Sequence, residues 1–232
     1  QMMHFSPDMA ELPTEVNKLN NQVLVLHVKV FQQDTANEVK RLIESHASPR
    51  LKAVLFDLRN NPGGVLQSAV EVSDHFLKKG LIVYTKGRGE PEQRYQSLSS
   101  SRYTGVPIMV LINHYSASAA EVLAGALQDH QRALIVGQTS YGKGSVQKLW
   151  PIGQGRAIKL TVARYYTPKN RMIEGRGIQP DIRLPLPDPT AQHDVVLQQA
   201  MDILRQRLMP ATTVSQVTTT APSTPPSDLQ KK

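Results

Sequence analysis

The run His114-Tyr115-Ser116-Ala117-Ser118-Ala119-Ala120-Glu121 places two serines where an apolar strand gives way to a helix. A serine at a helix N-terminus sits where backbone N–H groups stabilise negative charge, which suits a nucleophile. The same residues have a plainer reading: Ser118 and Glu121 form the Ser-x-x-Glu of a capping box, and Ser116 could cap as well. A nucleophilic serine needs a base. His114 and His130, the latter beside Asp129, are near in sequence. His114 falls on the strand side of the turn and His130 a full helix away, so a Ser-His-Asp triad would be strained. Lys143, in Gly142-Lys143-Gly144-Ser145-Val146-Gln147, is the alternative. Lysine serves as a base only when burial or nearby positive charge lowers its pKa by several units. The flanking glycines permit tight packing around it. Gln147, four residues on, could hydrogen-bond the amine and hold it toward a partner. An ordinary surface lysine is the competing reading.

A third stretch, Asp57-Leu58-Arg59-Asn60-Asn61-Pro62-Gly63-Gly64, follows a short apolar strand. Glycines after a strand let backbone N–H groups converge on a developing oxyanion, although a turn needing positive φ angles would explain them equally.

The elements that must position these residues follow from hydrophobic periodicity. Strands are predicted over 22–30, 53–58, 81–85, 106–112, 133–136 and 157–163, and helices over 35–45, 65–77 and 119–127. Strands alternating with helices imply an α/β domain with a largely parallel sheet, whose ligands gather past the carboxyl ends of its strands. A helix over Asp194–Leu208 carries Val196, Leu197, Ala200, Met201, Leu204 and Leu208 on one stripe, suited to docking on the domain or on another subunit. The division expected is a lead-in over 1–21, a core over 22–187, a helical segment over 188–209 and a disordered Thr/Ser/Pro-rich tail over 210–232.

The 232 residues contain no cysteine, which excludes a thiolate nucleophile, a disulfide scaffold and Cys-ligated metal sites. No apolar run approaches the roughly 20 residues that span a bilayer. The net charge of +8 is concentrated between Lys143 and Arg183, where nine Lys/Arg face only Glu174 and Asp181. There are no interleaved stacking aromatics and no phosphate-binding Gly-rich loop, so nucleic acid is not the expected partner. A solvated sheet face, or a field steering an anionic ligand, remains.

Taken together and in order, the Asp57–Gly64, Ser116–Glu121 and Gly142–Gln147 blocks resemble the carboxyl-terminal processing (tail-specific) proteases. Smaller matches run through Ala124–Asp129, Tyr165–Pro168 and Gly177–Asp181, and Lys143 falls 25 residues after Ser118. The resemblance covers residues 22–185. It implies a crotonase-like α/β core and a serine endopeptidase with a Ser–Lys dyad, acting on protein or peptide substrates near their carboxyl termini without cofactor or metal. Carried over by position, Ser118 is the nucleophile, Lys143 the base and Gln147 the residue orienting it. The N–H groups of Gly64 and Ala119 form the oxyanion hole. Asp129 matches an aspartate of the family, for which a role at the helix end is an equal reading.

Such proteases carry a PDZ domain before the core, and the 21 residues preceding Gln22 are too few for one. The expectation is an excised core, or one whose substrates come through an adaptor, with homo-oligomerisation open. The chain begins with Gln1, so it is expected to be a processed piece of a bacterial periplasmic or envelope protein. Two rivals stand beside this reading: a non-catalytic binding module, in which Ser118 only caps, and an acyl-CoA hydratase or isomerase on the same core.

Overall fold

A computed structural model describes residues 14–17, 23–46, 51–98, 103, 105–153, 155–186 and 193–208. Its first sheet runs β1 (Thr14–Asn17), β2 (Val23–His27), β3 (Ala53–Asp57), β6 (Ile108–Ile112), β7 (Ala133–Gly137) and β10 (Ile182–Arg183) from edge to edge. All neighbours pair in parallel except β1, which is antiparallel to β2. The second sheet is antiparallel, in the order β5 (Glu90–Ser97), β4 (Gly80–Gly87), β9 (Arg156–Tyr166), β8 (Ser145–Gly153).

The central strands are apolar at nearly every position because both faces of the first sheet are covered. Leu24, Leu26, Val54, Phe56 and Val110 point toward α1 (Thr35–His46), α2 (Leu66–Phe76) and α3 (Ala119–Asp129). The alternate residues Val23, Val25, Leu55, Met109 and Leu111 pack against α4 (Val195–Leu208), through Val196, Leu197, Ala200, Met201 and Leu204. The apolar stripe of the last helix thus docks on its own domain. Burying such a side chain fully stabilises the fold by about 1.5–3 kcal/mol, so this layer fixes the sheet from behind.

The predicted strands and helices are present with bounds shifted by a few residues. The parallel sheet is as expected, but the strands predicted over 81–85 and 157–163 belong to the separate antiparallel sheet, and β1, β5, β8 and β10 were not foreseen. Glu90–Ser97 reads EPEQRYQS and offers no alternation, because over 91–96 this edge strand faces water except at Tyr95, which packs on the core, and it is held by backbone pairing to β4. β8 and the first half of β9 likewise form an exposed hairpin. The basic stretch is therefore largely a solvated sheet face. Part of the predicted lead-in is strand β1, and the Thr/Ser/Pro-rich segment over 210–232 lies outside the described residues.

Candidate active site

Three loops leave the carboxyl ends of the adjacent strands β3, β6 and β7, and the sequence blocks singled out above are those loops. The first turn follows Asp57. Asn61, fully buried, donates from Nδ2 to the Val28 carbonyl at 2.5 Å and accepts the Gly63 N–H at 2.8 Å. Positions 63 and 64, beyond Pro62, must be glycine. A Cβ on Gly63 would lie 2.7 Å from Ser118 Cβ, and one on Gly64 2.1 Å from the Phe31 carbonyl oxygen. Gly64 forms a parallel bridge with Phe31 that uses the Gly63 carbonyl and the Val65 N–H. That pairing leaves the Gly64 N–H on the opposite side of the backbone from Phe31.

The second turn carries both serines. Ser116 is fully buried; its hydroxyl donates to the Leu58 carbonyl at 2.8 Å and accepts the Asn113 N–H at 2.9 Å. Ser116 therefore staples the first two turns together. Asn113 adds to the lacing: its Oδ1 accepts the Asn60 N–H at 3.0 Å and its Nδ2 donates to Asn60 Oδ1 at 2.8 Å. The Ala117 N–H closes on the Asn61 carbonyl at 2.8 Å. Ser118 is partly exposed at the head of α3, with φ 55° and ψ −115°. A non-glycine residue held at positive φ is strained, by about 1–3 kcal/mol. The surrounding hydrogen bonds over-determine that conformation.

Glu121 joins the second turn to the third. Its carboxylate is fully buried and accepts four hydrogen bonds. Oε2 takes the N–H groups of Ser118 and Lys143, both at 2.8 Å. Oε1 takes the Ser140 hydroxyl at 2.5 Å and the Gly142 N–H at 2.6 Å. Burial pushes this carboxyl above its ordinary range, and the four donors only partly offset the rise. The predicted capping contact of Glu121 with the Ser118 N–H is present, but it is one quarter of what Glu121 does. The Tyr141 N–H to Ser116 carbonyl bond, 2.9 Å, adds a second tie between the same loops.

Among the described residues no hydrogen bond joins the Lys143 amine to Ser118 or to Gln147; the Lys143 side chain is exposed. Gln147 lies on β8 opposite Thr161, exposed, just past an irregularity between Val146 and Gln147. The loop brings the Lys143 backbone to Glu121, and through it to Ser118. Gly63 and Ala119 lie beside Ser118, since a Cβ on Gly63 would also stand 3.0 Å from the Ala119 nitrogen, whereas Gly64, the next residue, packs against Phe31. The histidines are elsewhere: His114 contacts Gln138 at 3.2 Å, and His130 contacts the Leu81 carbonyl at 2.7 Å. Asp129 ends α3, roughly 16 Å along the helix from Ser118. It accepts the Lys169 N–H at 2.7 Å and the Arg171 guanidinium, which fastens the loop after β9.

Sequence reasoning missed Glu121 as a hub, because its partners at 140–143 are a strand and two turns away. It also missed Asn60, Asn61 and Asn113, whose only signal was their place in dense turn sequences.

The sequence matches Peptidase family S41 over residues 22–184. A carboxy-terminal-processing protease of Bartonella bacilliformis is 41% identical over 197 residues, 82% of this chain and 45% of the relative. A carboxyl-terminal-processing protease of Synechocystis is 35% identical, over 88% of this chain and 48% of the relative. The chain thus spans about half the length of these curated relatives. Among solved structures, a photosystem II D1 C-terminal processing protease superposes with a TM-score of 0.66 at 31% identity, covering 70% of this chain and 42% of that one. Family, fold and the order of the three loops agree, and the chain belongs to peptidase family S41, with the crotonase-like α/β core that the resemblance implied.

Proposed function

We propose that this chain is the core of a serine endopeptidase that cleaves proteins near their carboxyl termini through Ser118 and Lys143. The observation that carries the reading is the buried Glu121 carboxylate, which holds the Ser118 N–H and the Lys143 N–H on one oxygen atom. A carboxylate that takes donors from both loops fixes their backbones relative to one another. The exposed Lys143 amine then closes onto Ser118 Oγ when substrate fills the site.

The chemistry follows from the groups present. The free amine of Lys143 takes the proton of Ser118 Oγ as that oxygen attacks the peptide carbonyl. The resulting oxyanion accepts the N–H groups of Gly64 and Ala119, each worth about 3 kcal/mol of barrier. The intermediate collapses as the Lys143 ammonium passes its proton to the leaving amine. Water, activated by the same lysine, then hydrolyses the ester on Ser118. Gln147 orients the amine on the closed site. The names of the relatives support substrates cut near a carboxyl terminus, and a bacterial envelope or periplasmic setting is part of the proposal. Delivery by a PDZ domain or an adaptor, and assembly with further copies, complete the proposal.

The test is timed digestion of an unfolded protein with an apolar carboxyl terminus by the parent chain and by Ser118→Ala and Lys143→Ala. Cleavage by the parent and a fall of about 10⁴-fold in both variants supports the dyad. Cleavage that survives in either variant removes that residue from the mechanism.

A further inference from the structure

The helix α4 lies beyond the residues matched to the family, yet its first turn is tied to the catalytic loops. Asp194 caps it, accepting the Leu197 N–H at 2.9 Å. The same carboxylate receives Arg59 Nη1 at 2.9 Å and Nη2 at 2.6 Å. Arg59 also reaches Asp57, from Nε at 2.9 Å and from Nη2 at 2.6 Å, and Asp57 in turn pairs with His27 at 3.1 Å. A planar guanidinium chelated from two sides has little freedom left, whereas chelation from one side leaves it able to swing. The Arg59 and Asp57 side chains are 17% and 3% exposed, so that pair is only weakly screened by solvent, while the Asp194 carboxylate grips Arg59 from a position 42% exposed.

Arg59 opens the first catalytic turn. The next residues are those laced to the serine turn: Asn60 to Asn113, and Asn61 to Gly63 and Ala117. The Arg59–Asp194 hydrogen bonds, the covalent chain from Arg59 to Asn61 and the Asn61–Gly63 hydrogen bond therefore connect the N-terminus of α4 to Gly63, against Ser118. Burial alone would raise the Asp194 carboxyl, but Arg59 and the Leu197 N–H outweigh it and hold it below its ordinary range.

We infer that Asp194 is a positioning residue: by gripping Arg59 it makes the geometry of the Gly63–Gly64 turn depend on the docked state of α4. This rests on the peptidase reading for its catalytic consequence, though not for the coupling itself.

The deciding variant is Asp194→Ser in the full chain. Serine keeps a side-chain oxygen for the Leu197 N–H and removes the carboxylate from Arg59. Two quantities are read: amide hydrogen exchange over 60–65 and over α4, and kcat with KM on an unfolded protein substrate. The expected result is exchange about tenfold faster over 60–65 with α4 protection kept. It is accompanied by a kcat lowered about tenfold with KM changed by less than about twofold. A role confined to capping would leave both the turn's exchange and kcat at parent values, and that result overturns the inference. Should α4 loosen as well, Asp194→Asn decides, since it keeps the cap oxygen while removing the charge and one of the two oxygens that receive Arg59. Parent-like exchange over 60–65 in that variant also overturns the inference. Faster exchange over 60–65 in Asp194→Ser, with a parent that cleaves nothing, would uphold the coupling and refute the peptidase reading instead.

Discussion

The three loops at the carboxyl ends of β3, β6 and β7 and the β8–β9 hairpin, which follows the last of them, are built on opposite terms. In the loops, Asn61, Ser116, Glu121 and Ser140 are polar and buried, and each has its hydrogen bonds met by a named partner. In the hairpin, Leu149, Trp150, Ile152, Ile158 and Leu160 are apolar and exposed, between 42% and 68%. A buried polar group without a partner costs about 1–3 kcal/mol, so a satisfied cluster admits one arrangement only. An exposed apolar side chain costs little and fixes nothing. The contrast teaches that geometry in this molecule is stored in its buried polar groups, while the hairpin is held by backbone pairing and is free to vary.

The strongest way to break that comparison is at Glu121. Glu121→Ala leaves four donors in a dry pocket, and a stability loss of about 3 kcal/mol or more is expected by urea titration. Cleavage should fall at least as far as stability does. A variant that kept both would show that the cluster is not what fixes the site.

Acid pH sharpens the comparison, because the carboxyls are shifted in opposite directions. Burial raises Glu121 above the usual 4.5, so on acidification it takes a proton first, onto an oxygen already receiving two donors. A raised folded pKa means that this protonation does not itself destabilise the fold. Asp57 and Asp194 are different. Burial would raise them, but Arg59 more than offsets it and holds them below 3.8. Their contribution is fully present above 3.8 and is lost as pH falls below that value. The expected outcome is an acid limb in kcat/KM above 4.5, while circular dichroism stays native until the pH drops below 3.8. Loss of activity and fold together would contradict it.

The smallest effect belongs to the hairpin. Leu149→Ser and Trp150→Ser should each move stability by less than about 0.5 kcal/mol in thermal unfolding. A shift comparable with that of Glu121→Ala would mean that the two regions do not differ as described.

The same contrast explains what could be read in advance. The strands that position the site were legible because residues 53–56 and Ile108–Ile112 are apolar throughout, which only burial on both faces requires. Ser118, Lys143 and the paired glycines stood out because their residue types and order are unusual together. Glu121 was legible only as a cap, since that contact is three residues long and its others span about twenty. The Arg59–Asp194 contact bridges 135 residues and left no trace in any local pattern. β8 escaped because a strand exposed on both faces has no hydrophobic period to detect.

Ser118 carries one further implication, for anyone who would engineer or evolve this chain. At φ 55° its backbone sits where glycine is at ease and serine is not. Ser118→Gly is therefore expected to raise stability by about 1 kcal/mol while deleting the proposed nucleophile. Selection for heat resistance alone would drift toward that replacement and discard the hydroxyl. The retention of serine at this position is a trade-off in which robustness is surrendered for reactivity, and a directed-evolution campaign on this scaffold must score turnover in every round.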